Sequence, residues 1–226
     1  MLIQINGLCD ADNMREIEKM GVDVVGFDFR KDSERMVKMI SSRAGIIPDY
    51  SRERIKRLKA NKDINEFTQE NSCRRMGCFA DDMPQNIVTR VYNYNLDIVE
   101  LWGEELPLMI DNLRNTLHPD IHPNIKIAKH CSVSTIADVE NLCQYADSAD
   151  YLAISITEEA LQGNVMSHYD CKLGFVLVYG SKNNSDSIID LLSHEKCMGI
   201  CIDDVFEDAI GVKNTDQLKA FLDRIN

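Results

Sequence analysis

The sequence predicts an α/β fold, a closed eight-stranded parallel (β/α)8 barrel of the TIM type, and three observations predict it. Short apolar strand signals recur eight times. Helical or crossover segments separate them. No glycine-rich phosphate fingerprint of an open doubly wound sheet follows an early strand. The 226 residues suit one such domain over 1–226, since barrels of this class run to roughly 200–250 residues. No linker, low-complexity tract or break in composition points to a second domain.

The elements follow in order. Leu2 to Asn6 reads as strand one and runs straight into Gly7. Ala11 to Met20 then reads as a helix, with Asp10 as N-cap and Gly21 as its stop. Val22 to Phe29 is strand two, followed by a polar loop with Lys31, Ser33 and Arg35 and by a basic helix from about Ser51 to Asn61. Arg75 to Ala80 is strand three, and Asp82 to Tyr94 its helix, capped by Asp81 or Asp82. Ile98 to Gly103 is strand four, with a helix from about Glu105 to Thr116. Ile125 to His130 is strand five, and Ser134 or Thr135 caps a helix ending near Ala146. Tyr151 to Ile156, Phe175 to Gly180 and Gly199 to Asp203 are strands six to eight. Helices near Ser185 to Ser193 and Thr215 to Ile225 complete the last units. Only Thr157 to Leu173 lacks a clear helix.

Composition narrows the function classes. Apolar residues make up 44% of the chain, enough for a sizeable core. No apolar run reaches the ~18 residues of a membrane span. The N-terminus has no basic segment ahead of an apolar stretch, which predicts no signal peptide and a cytoplasmic protein. The 25 basic and 37 acidic side chains give a net charge of −12. That balance argues against a nucleic-acid binder, and it suits a highly anionic ligand only if a local basic pocket overrides the mean field.

The eight cysteines, at 9, 73, 78, 131, 143, 171, 197 and 201, form no CxxC pair. Most are expected as small buried hydrophobes in a reducing compartment. His118 and His122 are each followed by a proline, and residues before proline avoid the helical region. They read as loop residues, so no metal is assigned, and no cofactor.

The strand ends carry further information. Gln4-Ile5-Asn6-Gly7-Leu8-Cys9 is similar to a Lys-Ile-Cys-Gly-Ile-Thr opening. Gly26-Phe27-Asp28-Phe29 with Ser33, Arg35 and Val37 has the spacing of Gly-Phe-Ile-Phe-x-x-x-Ser-x-Arg-x-Val. Gly77-Cys78-Phe79-Ala80-Asp81 is like Gly-Val-Phe-Val-Asn. Leu96-Asp97-Ile98-Val99-Glu100-Leu101-Trp102-Gly103 is like Leu-Asp-x-Val-Gln-Leu-His-Gly. Gly211-Val212-Lys213-Asn214 is like Gly-Val-Lys-Asp. With these five motifs in order, the chain resembles the phosphoribosylanthranilate isomerase family of tryptophan biosynthesis over essentially its whole length. The resemblance implies a (β/α)8 barrel, an Amadori rearrangement and a phosphorylated substrate.

The departures fall where that chemistry would sit. The rearrangement opens a ribose ring and moves a proton from C2, which takes a general acid and a general base on opposite sides of the sugar. The resemblance places these roles on a cysteine after strand one and an aspartate ending strand six. Asn6 and Ser155 hold those positions, and both proton carriers are gone. The family's phosphate loops, Ala-Gly-Gly-Leu and Asp-Val-Ser-Ser-Gly, appear as Val178-Tyr179-Gly180-Ser181 and Cys201-Ile202-Asp203-Asp204-Val205. A phenol replaces one glycine, and two carboxylates stand where two hydroxyls would meet a dianion. Like charges ~4 Å apart repel by about 1 kcal/mol in water and several times more in a sheltered loop. The Gly-Gly-x-Gly-Lys segment after strand six has no counterpart, and Thr157-Glu158-Glu159 is acidic there.

The remaining candidates have two readings each. Arg35 matches the family's anchor for an anthranilate carboxylate, or is a solvated loop arginine. Trp102, the only tryptophan, covers a planar ligand or fills the barrel mouth. Asp28, Glu100 and Asp203 end strands two, four and eight, and strand alternation sets Glu100 on the face of Trp102. These carboxylates bind a cation or basic ligand, or hydrogen-bond across strands to Lys126, Lys129 or His130. Cys9 and Cys201 fall near the same rim, with Cys9 a weak substitute base.

The expectation is a divergent family member that binds a small molecule or acts as an interaction protein, without isomerase activity and without an anion between the two altered loops. The alternatives are a working isomerase of relaxed design, and different chemistry on a non-phosphorylated ligand run by Asp28, Glu100 and Cys201. Monomer and homodimer both stay open.

Overall fold

Strand residues alternate between two apolar layers, and that alternation closes the sheet. One parity, including Val24, Met76, Cys78, Ile98, Ala128, Ala153, Val176 and Cys201, packs inside the barrel. The other, including Ile5, Val25, Phe27, Phe79, Leu101 and Leu177, packs under the helices. A computed structural model describes residues 1–37, 73–118, 121–182 and 186–225. The predicted helix from Ser51 to Asn61 lies outside them.

The eight parallel strands are β1 (Leu2–Ile5), β2 (Val24–Asp28), β3 (Arg74–Phe79), β4 (Ile98–Leu101), β5 (Lys126–Val133), β6 (Tyr151–Ile156), β7 (Phe175–Tyr179) and β8 (Cys197–Ile202). They form one closed barrel in sequence order, with β1 pairing both β2 and β8. The predicted fold class is the observed one. β5 runs past the expected end at His130 to Val133, pairing its last residues with Ser155 and Ile156 of β6. This extension carries Ser132 up to the mouth.

The helices are α1 (Ala11–Lys19), α2 (Pro84–Tyr94), α3 (Pro107–Leu117), α4 (Ile136–Asn141), α5 (Glu158–Gln162), α6 (Ser187–Asp190) and α7 (Thr215–Ile225). Asp10 caps α1 as expected, its side chain accepting from the Asn13 amide. Thr135 caps α4 in a reciprocal box with Asp138, and a 3-10 turn, Leu142–Tyr145, completes that layer.

Two helix starts differ from expectation. Met83 and not Asp81 or Asp82 is the N-cap of α2, because Pro84 supplies the first turn with a fixed φ and no N–H to satisfy. Asp81 is instead left-handed and accepts from the Glu104 amide. Pro107 likewise opens α3, which frees Glu105 to turn inward toward Lys129. The stretch from Thr157 to Leu173, expected to lack a clear helix, holds the five-residue α5 and a 3-10 turn, Val165–His168.

A β-hairpin not anticipated from sequence, β9 (Glu207–Ala209) and β10 (Val212–Lys213), follows β8. Gly211 makes its turn possible at φ 76°, and a Cβ there would meet Cys9 Sγ at 2.7 Å. The hairpin therefore sits directly on the loop after β1, and the Cys9 amide donates to the Gly211 carbonyl. Gly7 has the same double reason. Its φ is 75°, and a Cβ would meet Arg35 Cδ at 2.7 Å, so the glycine lets Arg35 cross the loop toward the hairpin. Among the described residues no helix is long and apolar enough to cross a membrane.

The cysteines are less buried than expected. Cys78, Cys171 and Cys201 are buried, Cys73, Cys131 and Cys197 are partly covered, and Cys9 and Cys143 are exposed. The apolar strands explain the buried Cys78 and Cys201, whereas Cys9 and Cys143 lie in loop and turn segments.

Candidate functional site

A cavity of about 610 Å³ opens at the C-terminal end of the barrel strands, where such barrels hold ligands. Ser155 from β6, Trp102 after β4, His130 and Ser132 from β5, Gly180 after β7, and Asp203 and Asp204 after β8 contribute to its wall, with Arg30 and Arg35 from the loop after β2.

Its floor is a stack built by strand alternation. The Trp102 indole lies on the His130 ring at 3.6 Å between centroids and 2° between planes. The Arg30 guanidinium covers Trp102 at 4.0 Å, a cation–π contact worth roughly 0.5–2 kcal/mol. The Trp102 ring is thus packed against His130 and Arg30, while Trp102 still lines the cavity. Burial, with Lys129 and Arg30 adding like charge, lowers His130 to about 3. The imidazole is therefore neutral, and its Nε2 shares a 2.8 Å hydrogen bond with Ser155 Oγ.

Beneath the stack lies a polar layer that does not line the cavity. Glu100 is fully buried, accepting from Gln4 Nε2 at 2.9 Å and Trp102 Nε1 at 2.5 Å. Gln4 also donates to Asn6 Oδ1 and Cys201 Sγ, and Asn6 Nδ2 donates to Cys78 Sγ. The cross-strand partners anticipated for Glu100 on strand five are engaged elsewhere. Lys129 has the outer parity and turns to the Leu101 and Gly103 carbonyls and to Glu105. Lys126, at the opposite end of the strand, bonds Asp150, and His130 lies against the indole.

Burial pushes the Glu100 carboxyl up to about 7, against the two hydrogen bonds. Since that carboxyl holds the indole N–H, tryptophan emission is expected to titrate with a midpoint near 7 and to become flat in Glu100→Gln. Folding stability should follow the same group. The folded state keeps a proton that an unfolded Glu loses near 4.5, so stability falls as pH rises from about 4.5 to 7, by up to about 3 kcal/mol. A Glu100→Gln protein whose emission and melting still shift across that window would contradict the assignment.

The charged walls are paired internally. Asp28 grips Arg30 through both oxygens, Nε to Oδ1 at 2.9 Å and Nη2 to Oδ2 at 2.7 Å, and also accepts from the Arg30 amide. Burial alone would lower the Arg30 guanidinium, but Asp28, with Asp203 nearby, holds it above its usual value. Arg35, partly exposed in the cavity wall, is held by an internal carboxylate. Its Nε and Nη2 donate to Glu207 at 2.6 to 3.2 Å, and Glu207 also accepts from Lys213 Nζ at 3.0 Å. Burial would raise Glu207, yet the Arg35 bonds and Lys213 outweigh it and the carboxyl is lowered. Lys213 is itself buried and bonds the Asp203 and Val205 carbonyls. Asn13 clamps its backbone from both sides.

The two loops read as altered phosphate loops meet each other. Asp204 Oδ1 accepts from the Ser181 amide and Oδ2 from its hydroxyl, each at 2.5 Å. Tyr179 is not in the cavity. Its ring packs outward against Phe221 at 4.7 Å and Phe206 at 6.1 Å, because Val178 and Gly180 have the inward parity. Val205 is partly buried against the outer core. Cys9 is an exposed loop residue, but its thiol is turned inward and donates to the Arg35 carbonyl at 3.0 Å. Burial and the nearby Asp28 and Glu207 raise it, which disfavours the thiolate.

Of the sequence-singled residues, Arg35, Trp102, Ser155, Gly180, Asp203 and Asp204 thus share the cavity wall. Asn6, Asp28, Glu100 and Cys201 lie beneath or behind it. Sequence reasoning missed Arg30 and Glu207. Arg30 had a local signal, two residues from Asp28 on an extended segment, whereas Glu207 meets Arg35 across 172 residues with no pattern to announce it.

No protein-family model matches the chain. The N-(5'-phosphoribosyl)anthranilate isomerase of Phocaeicola vulgatus is 24% identical over all of this chain and 98% of its own length. That of Parabacteroides distasonis is 22% identical over 100% and 93%. Among solved structures, a phosphoribosylanthranilate isomerase bound to reduced 1-(o-carboxyphenylamino)-1-deoxyribulose 5-phosphate superposes with a TM-score of 0.70, at 20% identity, over 100% of this chain and 98% of that one. The Thermus thermophilus isomerase gives a TM-score of 0.68 at 18% identity, again over 100% and 98%. These end-to-end matches in sequence agree with the shared barrel, and the chain is similar over its whole length to phosphoribosylanthranilate isomerases.

Proposed function

We propose that this chain is a small-molecule-binding member of its family that does not carry out the isomerase reaction. The observation that carries the reading is that its own carboxylates occupy both groups expected to receive substrate anions. Glu207 holds the guanidinium of Arg35, the residue matched to the anthranilate-carboxylate anchor. Asp204 holds the amide and hydroxyl of Ser181, on a loop matched to the phosphate grip. An incoming dianion would have to displace two charge-assisted contacts and then sit beside Asp203 and Asp204.

The proton carriers point the same way. Asn6, at the position matched to the family cysteine, is buried beneath the cavity. Ser155, matched to the family aspartate, is bonded to a neutral imidazole. A general base works best with a pKa near the operating pH, and His130, lowered to about 3, is far too weak a base to activate that hydroxyl.

The reading is tested with the compound bound by the family structure, reduced 1-(o-carboxyphenylamino)-1-deoxyribulose 5-phosphate. It contains both anions, and Trp102 in the cavity wall supplies the signal. No saturable change in tryptophan emission is expected up to about 1 mM, a dissociation constant corresponding to only ~4 kcal/mol of binding free energy. Saturation at micromolar concentration would overturn the reading.

A further inference from the structure

Among the described residues, the Asp203 carboxylate is a charge in the wall of the mouth cavity with no hydrogen-bond partner. Arg30 and Arg35 are each held by two carboxylate oxygens, His130 is neutral, and Asp204 is committed to Ser181. Asp203 also lines the cavity, but among the described residues no hydrogen bond or ion pair reaches its carboxylate. Its charged neighbours are Arg30 and Asp28 from the β2 side, Asp204 beside it and Lys213 from β10. Arg30 is turned to Asp28. Lys213 is turned to the backbone carbonyls of Asp203 and Val205 and to Glu207. Glu158 and Glu159 add negative charge at the rim, with Lys182 the single opposing lysine among the described lining residues, and Ser132 and Ser155 contribute hydroxyls to the wall.

We propose that the mouth cavity binds a small hydroxylated amine whose ammonium pairs with Asp203. The inference deepens the reading given above and rests on it, since it requires that the mouth does not grip phosphate. A cavity of about 610 Å³ is within the ~300–1,000 Å³ range of small-molecule sites. An ammonium there forms a charge-assisted hydrogen bond, which is roughly twice as strong as a neutral one. Hydroxyls on the ligand meet the serines. Burial holds the Asp203 carboxyl above its usual range, with Arg30 opposing and Asp204 adding to the shift. A bound cation would relieve that cost. The net charge of −12 also raises the local concentration of cations over anions.

The test compares three matched polyols at pH 7 by calorimetry and Trp102 emission: glucamine, sorbitol and sorbitol 6-phosphate. Glucamine should bind at least about tenfold more tightly than sorbitol, and sorbitol 6-phosphate more weakly than sorbitol. Asp203→Asn should bring glucamine down to the sorbitol level while melting close to the parent, because among the described residues the carboxylate has no hydrogen bond to lose and its burial cost is relieved. Asp216→Asn, an exposed acid on α7, should change nothing. Equal binding of glucamine and sorbitol, no glucamine binding at about 50 mM, or full binding by Asp203→Asn would each overturn the amine proposal alone. Tighter binding of sorbitol 6-phosphate than of sorbitol would overturn both this proposal and the phosphate reading beneath it.

Discussion

Glu207→Ala will destabilise the protein by about 3–5 kcal/mol, which for a chain of this size lowers Tm by roughly 10 °C. The effect is large because one carboxylate answers two cations. Arg35 keeps only 19% of its side-chain surface exposed and Lys213 none. Removing the carboxylate leaves a buried ammonium with carbonyl partners alone and a sheltered guanidinium with none of its three bonds to Glu207. Glu207→Gln should recover part of the loss, since it keeps the packing and one acceptor. Added benzoate should stabilise the alanine variant more than the parent, because the freed Arg35 fork suits a carboxylate. A Tm for Glu207→Ala within a degree or two of the parent would show that the hairpin is not held by this cluster.

The second large effect is a failure to gain function. Asn6→Cys with Ser155→Asp restores the side chains of an acid–base pair but is expected to leave isomerase turnover at background. A general acid or base typically accounts for about 10²–10⁴ in rate, yet the groups proposed to meet the substrate anions, Arg35 and Ser181, remain held by Glu207 and Asp204. Binding energy from remote anions normally holds the reacting carbons in place. The carboxylate introduced by Ser155→Asp would also stand where Ser155 Oγ now lies, 2.8 Å from His130 Nε2. It would draw a proton onto that imidazole in preference to acting on a ligand. Turnover should require Glu207→Ala, Asp203→Ser, Asp204→Ser and Val205→Gly as well. Tyr179 is best left in place: its ring packs on Phe206 and Phe221, and deleting a buried aromatic costs about 3–5 kcal/mol. Activity in the double variant, measured by product formation, would show that the internal carboxylates yield to substrate.

The barrel was legible because strands and helices announce themselves locally. Tyr151–Ile156 and Thr215–Ile225 fall on their predicted limits, where an apolar run or a 3.6-residue period is bounded by clear turn signals. Helix starts at Pro84 and Pro107 were misplaced because nearby acids look like caps, and a proline at the first turn needs none. The site was legible only as a set of strand ends. Alternation correctly set Glu100 beside Trp102, but which carboxylate meets which cation depends on contacts between distant segments. Arg35 finds Glu207 only because Gly7 and Gly211 let the β1 loop and the hairpin approach. Neither the hairpin nor its glutamate carries a signature in a short, polar stretch of sequence.

Whether the mouth carries out the isomerase reaction is tested most directly by steady-state turnover. The purified, unmodified protein is given N-(5'-phosphoribosyl)anthranilate, and product is followed against a boiled control. The same gene is placed in a tryptophan auxotroph lacking the isomerase. Product is expected at the rate of the control, with no growth. Saturable turnover that is lost on Arg35→Ala, together with growth of the auxotroph, would contradict that expectation.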